Sequence, residues 1–274
     1  MASGKCAKEL STFLSGQLES CSKWLVVNKL SLHVGKCESI VFGSSRKKEA
    51  RNDFQVNCSG VGVPRVSSVK YLGVFLDETL SGFEHASMVI KKISSRMGFL
   101  FRNSGLLDFR SRKLLCMALV QPFYDYCSSS WYSGLNARLK GRLDALQRRM
   151  VRFVHGFDFR RSVDTGHFSS LGWLDVKDRV RFFKLVHTYK IFNGLAPKYI
   201  SESFCNFASV HQYRTRGSQT DFLISREDTS KSIMLSSFSY TAKSEWNKLP
   251  IALKSLNKLD VFKRKLREYL FERY

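Results

Sequence analysis

The chain has 274 residues with 45 Lys and Arg against 23 Asp and Glu, a formal net charge of +22. With 43% hydrophobic and 13% aromatic residues it holds enough apolar material for one large or two modest cores, which excludes a disordered basic tail. Seven dispersed cysteines without a C-x-x-C pair exclude a disulfide framework, and no apolar run reaches membrane-spanning length. These features point to an intracellular protein of nucleus or cytoplasm that is attracted to polyanions.

The charge is uneven. Residues 83–157 carry 13 basic and 4 acidic side chains, whereas residues 1–45 carry 5 and 3. The basic excess therefore concentrates in one region, and the competing reading there is a solvated basic face.

In chain order, Leu10, Phe13, Leu14, Leu18, Cys21 and Leu25 recur at helical spacing and predict an amphipathic helix over 5–27. Leu30–Val34 and Ser39–Gly43 read as strands joined by a Gly35-Lys36 turn. Phe54–Cys58 and Val61–Val63 read as short strands around Ser59-Gly60, and Val69–Leu76 as one substantially buried strand. From Phe83 the period changes to that of a helix, with Ala86, Val89, Ile90, Ile93, Met97 and Leu100 on one stripe and Lys92 and Arg96 beside it. A second helix over 108–121 stops at Pro122. A third spans Arg138–Val154, with Arg138, Arg142, Arg149 and Arg152 along one flank and Gly156 as its stop signal. Leu174–Phe192 and Leu259–Arg273 are further helices, and residues 205–240 read as irregular.

Three blocks resemble a known family. Trp24, Asn28-Lys29-Leu30-Ser31-Leu32-His33-Val34-Gly35-Lys36-Cys37 and Val69-Lys70-Tyr71-Leu72-Gly73-Val74 form the first. Pro122–Trp131 followed by Leu146-Gln147-Arg148-Arg149 form the second. His211-Gln212-Tyr213-Arg214-Thr215-Arg216, Phe238-Ser239-Tyr240, Trp246-Asn247-Lys248-Leu249-Pro250 and Phe262-Lys263-Arg264-Lys265-Leu266 form the third. In this order they resemble the C-terminal part of a non-LTR (LINE-type, jockey-like) retrotransposon reverse transcriptase: the end of the palm, the thumb and the C-terminal region.

The resemblance implies an α+β fold, with a small antiparallel palm remnant at 1–80, a basic helical thumb-like region at 81–157 and a helical C-terminal region at 158–274. It implies that Lys70, Tyr71 and Gly73 belong to a primer-grip-like hairpin and that Lys36 lies where such polymerases place a lysine near the incoming nucleotide. The family's paired aspartates, which hold two Mg²⁺ ions in the intact enzyme, have no counterpart here. Asp77-Glu78 and Glu227-Asp228 are the adjacent acidic pairs, and neither has the required strand–turn–strand setting. Their blander readings are a solvated turn and a polar loop.

The expected function is that of a truncated RNA-directed DNA polymerase fragment that binds RNA and DNA, largely independently of sequence, without polymerase activity or cofactor. The expected contacts are Lys36, Lys70, Tyr71, Gly73, Lys92, Arg96, Arg138, Arg142, Arg149, Arg152, Tyr213, Arg214 and Arg216. A host-recruited nucleic-acid-binding or interaction protein, or an untranslated remnant, fits the same residues. Trp246 and the His211–Arg216 motif fit either a single-strand contact or a loop pinned to the core. Asp125, Tyr124, Tyr126 and Trp131 read as packing.

Overall fold

The structure, a computed structural model, describes residues 2–4, 6–43, 53–204, 220–224 and 232–272. The fold is α+β, with two small antiparallel hairpins followed by a helical assembly. Two compact units divide the chain, residues 1–85 and 86–274.

The first unit opens with α1 (Ala7–Val27), which packs on β1 (Val56–Cys58), paired with β2 (Val61–Val63). Ser59 (φ 50°) and Gly60 (φ 78°) both take positive φ, the signature of the type I′ turn whose twist suits a two-residue hairpin. Phe54, Val56, Cys58 and Val63 are buried there, covered by Leu10, Leu14 and Leu18 of α1 and by Leu32 and Val34. The free edge of β1 is closed by the helix. Ser11 Oγ accepts from Gln55 N (3.0 Å), Ser15 Oγ from Asn57 N (3.0 Å) and Glu19 Oε2 from Ser59 N (2.8 Å). Four helical residues rise about 6 Å and two strand residues about 6.6 Å, so acceptors four apart match amides two apart.

The strands expected at Leu30–Val34 and Ser39–Gly43 do not form. Val34–Lys36 is one 3₁₀ turn, and Ser39 makes an isolated parallel bridge to Arg65. Alternation marks which residues face a core, but a strand also needs a partner edge, and β1 already has α1 and β2. The single strand expected at Val69–Leu76 is instead a hairpin, β3 (Ser68–Tyr71) paired with β4 (Val74–Asp77). It turns at Leu72 (φ 45°) and Gly73 (φ 86°), and of its strand residues only Val74 is buried.

The second unit begins inside the first turn of α2 (Phe83–Arg102). After it come α3 (Phe109–Leu119), α4 (Gln121–Asp125), α5 (Ser128–Trp131) and α6 (Ala137–His155). Asp108 caps α3 by accepting from Ser111 N (2.8 Å). Pro122 does more than end a helix: it sits in the first turn of α4, where its missing N–H is harmless. Then follow α7 (Thr165–Leu171), α8 (Val176–Phe192), α9 (Lys198–Ser201), α10 (Ser232–Leu235), α11 (Phe238–Asn247), α12 (Ile251–Lys254) and α13 (Leu259–Phe271). The expected irregular stretch therefore ends earlier, because Ser237 caps α11 at Tyr240 N.

Helix α8 is the axis of this unit and touches α4, α5, α6, α9, α11 and α13. Tyr189 stacks on Phe262 (4.3 Å between centroids) and Trp246 lies 5.2 Å from Phe192. Among the described residues no helix is long and apolar enough to cross a membrane.

Candidate nucleic-acid interface

Helix α6 is the most cationic element with a defined face. Asn136 Oδ1 accepts from Leu139 N (2.9 Å) at its start, and Gly156 (φ 67°) closes its end in the left-handed conformation. Leu139, Leu143, Met150, Phe153 and Val154 are buried and hold the helix down. At about 100° per residue, Arg138, Arg142, Arg149 and Arg152 fall within an arc of about 80°. Arg138, Arg142 and Arg149 are exposed. Arg149 lies over the Phe101 ring (4.8 Å), which meets Phe153 edge-on (5.1 Å). Arg152 is half-buried, and its Nε donates to Arg161 O (2.6 Å), so it braces the chain beyond the helix. The helix's one carboxylate, Asp144, projects about 240° from Arg138, away from this arc.

Lys92 and Arg96 are both exposed on α2, with Lys92 Nζ 5.6 Å from the Phe123 ring centroid. Phe101, which underlies Arg149, is nine residues from Lys92 and so on the opposite side of α2. The two basic sets therefore engage different faces of that helix.

Sequence reading missed an aromatic–cationic cluster after α6. His155 stacks on Phe157 (4.8 Å, 14°), His167 meets Phe157 edge-on (5.1 Å), and Arg161 covers Phe157 at 3.8 Å. His167 also completes a capping box with Asp164, Nδ1 to Oδ1 being 2.5 Å. The run His155-Gly156-Phe157 with Arg160-Arg161 just behind a helix stop was the available signal. Arg148, exposed at the edge of the α6 arc, was likewise visible in the pair Arg148-Arg149.

With α6's geometry in view, comparison with known proteins narrows the reading. Over 155 residues, 55% of this chain, the sequence is 24% identical to the RNA-directed DNA polymerase from mobile element jockey of Drosophila funebris. Over 141 residues it is 21% identical to a probable RNA-directed DNA polymerase from transposon X-element of Drosophila melanogaster. A region of this chain is related to non-LTR retrotransposon RNA-directed DNA polymerases. The matches cover 16% and 15% of those two proteins, so the chain spans about a sixth of their length. No family model matches the chain, and no solved structure does.

The remaining expected contacts lie in the first unit or outside the described residues. Tyr71 (63% exposed) and Leu72 (76%) stand at the tip of the β3–β4 hairpin, with Lys70 exposed beside them. A leucine at positive φ costs about 1 kcal/mol, so turn stability does not explain Leu72. Lys36 is exposed at the end of its 3₁₀ turn. Tyr213, Arg214 and Arg216, with His211, Cys205 and the Glu227-Asp228 pair, lie outside the described residues.

Asp77-Glu78 is not a solvated turn. Asp77 accepts from Thr79 N and Oγ1, Ser81 N and Oγ, and Gly82 N, and Glu78 pairs with Arg65 (2.8 Å). Burial pushes the Asp77 carboxyl up, but the bonds from Thr79 and Ser81 outweigh it and hold the pKa below the usual value. Among the described residues no group of three or more His, Cys, Asp or Glu is placed to hold a metal.

Trp246 resolves toward packing. It is fully buried and its Nε1 donates to Thr220 O (2.7 Å), while Asn247 pairs both ways with the Phe222 backbone (2.9 Å each). The motif pins residues 220–222 onto the core. Asp125, expected as packing, forms a two-pronged ion pair with Arg179, and Tyr124 is buried with its hydroxyl on Leu143 O (3.3 Å).

Proposed function

We propose that this chain is a nucleic-acid-binding portion of a non-LTR retrotransposon reverse transcriptase that grips RNA or DNA through the phosphate backbone and performs no polymerisation itself. The observation that carries this is the α6 arginine arc: Arg138, Arg142 and Arg149 exposed along one line of a helix whose opposite side is buried. Guanidinium groups spaced along a rigid helix contact phosphates in series and give affinity with little sequence information. The terminal basic run is less suited. Lys265 pairs with Glu268 (2.7 Å), Lys263 lies 3.6 Å from Asp260, and consecutive residues point in three directions. The exposed Tyr71-Leu72 tip is a second contact in this proposal, supplying an aromatic face to a base or sugar. The engagement of Asp77 and Glu78 in local bonds supports the non-catalytic half of the reading.

Two measurements on the full chain test it. Fluorescence anisotropy with unrelated duplex and single-stranded sequences should give affinities within about tenfold of one another at fixed salt. Primer extension on a primed RNA template, with Mg²⁺ and with Mn²⁺, should give no incorporation. Incorporation lost in Asp77→Asn would overturn the non-catalytic reading, and strong preference for one sequence would overturn the backbone reading.

A further inference from the structure

On the side of α6 away from the arginine arc, Lys140 borders a half-open cavity of about 300 Å³ formed with α8, α11 and the loop after α5. Four cations line it: Lys140, Lys177, Arg181 and Lys184. The lining carboxylate is Glu245, whose Oε2 lies 2.7 Å from Arg181 Nε. Lys184 is only 6% exposed, and its Nζ donates to Ser133 Oγ (2.8 Å). Lys140 Nζ donates to Ser133 O (3.4 Å) and lies 5.5 Å from the Tyr132 ring centroid.

Packing does not require this arrangement. A leucine or methionine at 184 would fill the same part of α8 without a buried charge. Burial and the neighbouring Lys140 push the Lys184 amine down to about 8, against the pull of Glu245, and burial and Lys177 push Lys140 down. Burial, with Asp144, Asp175 and Asp178, raises the Tyr132 hydroxyl, and Arg148 and Lys177 offset part of the rise that burial and Asp175 impose on Asp144. The cations thus repel one another in a half-enclosed space of ligand size, a strain that a multiply charged anion relieves.

We propose that this cavity is a binding site for a phosphoryl anion, either inorganic phosphate or the phosphate of a mononucleotide, with Lys140, Lys177 and Lys184 as its donors. It is separate from the α6 arginine arc and does not depend on the nucleic-acid reading.

Calorimetric titration of the full chain with inorganic phosphate, sulfate and adenosine monophosphate tests it. Wild type should bind phosphate saturably at one site and melt at a higher temperature in its presence. Lys140→Gln with Lys177→Gln, at a half-buried and an exposed position, should keep the fold and weaken binding at least about tenfold. Tighter binding of the nucleotide than of phosphate makes a nucleotide the source, and equal affinity makes it the free anion. Sulfate, which does not titrate here, should bind less tightly as pH rises through about 8 and Lys184 loses its proton. Duplex binding of the same double variant, measured in parallel, should be kept, so failure of this site and failure of the α6 interface are told apart. No saturable heat or melting shift at about 10 mM phosphate, or binding unchanged in both the double variant and Lys184→Met, would overturn the site.

Discussion

In residues 1–85, the 21-residue helix α1 buries Leu10, Leu14 and Leu18 in part, while Trp24 (61%) and Val27 (81%) stay exposed. In residues 86–274, the 17-residue helix α8 has Val176, Val180, Leu185, Tyr189 and Ile191 buried on several sides and is enclosed by other helices. Both stretches are apolar enough for a core. The difference is in what holds them. The first unit relies on two tight hairpins and a row of helix acceptors on one strand edge. The second relies on distant residues meeting around one helix. Two tight hairpins and one row of hydrogen bonds bury little apolar surface, so the first unit should open at a lower free energy.

The largest effect should come from the second unit's core. Trp246→Ala should destabilise it by about 4 kcal/mol through the cavity and the abandoned Thr220 carbonyl. Hydrogen exchange should show lost protection in α8, α11 and α13, with Val56–Val63 unchanged. Equal loss in both regions would mean that the two units unfold as one and would break the comparison.

Lys184 sharpens it at the next scale. Its native pKa, about 8, lies below the unfolded value of 10.5, so between these pH values the unfolded chain binds the extra proton. Stability should therefore rise with pH over that window, wild type gaining on the order of 3 kcal/mol relative to Lys184→Met by pH 10.5. A flat difference in denaturation midpoints from pH 7 to 10.5 would show that Lys184 is not strained.

The legible part of the fold follows the same division. Helices α2, α6, α8 and α13 could be read because their apolar stripes persist over three or more turns and meet a cap such as Gly156. The Ser59-Gly60 hairpin was legible from its turn residues. Leu30–Val34 was not, since its alternation serves an irregular segment that packs Leu32 and Val34 against the Phe54, Val56, Cys58 and Val63 cluster. The break at Leu72-Gly73 was hidden by a run that is apolar apart from Lys70, with a leucine in a conformation that usually selects Asn or Gly. Of the candidate site, the arginine arc was visible as spacing alone. The cavity around Lys184 was not, because Lys140, Lys184 and Glu245 are brought together only by three helices meeting.

Two smaller effects belong to the first unit. Ser15→Ala removes the acceptor for Asn57 N and should cost about 1 kcal/mol, read as faster exchange of that amide with α8 unchanged. Leu72→Asn relieves the positive φ and should raise the first unit's stability by somewhat under about 1 kcal/mol, while weakening nucleic-acid binding if the exposed leucine serves contact. A loss of stability would mean that Leu72 is held by packing.

The most direct test of the α6 interface is the salt dependence of duplex binding by wild type and by the Arg138→Gln, Arg142→Gln, Arg149→Gln triple variant. All three side chains are exposed, so helical content by circular dichroism should be unchanged. The plot of log affinity against log salt should become shallower by about three units, one released counterion for each lost phosphate contact. An unchanged slope in a folded triple variant would contradict the account and place the nucleic-acid face elsewhere on the chain.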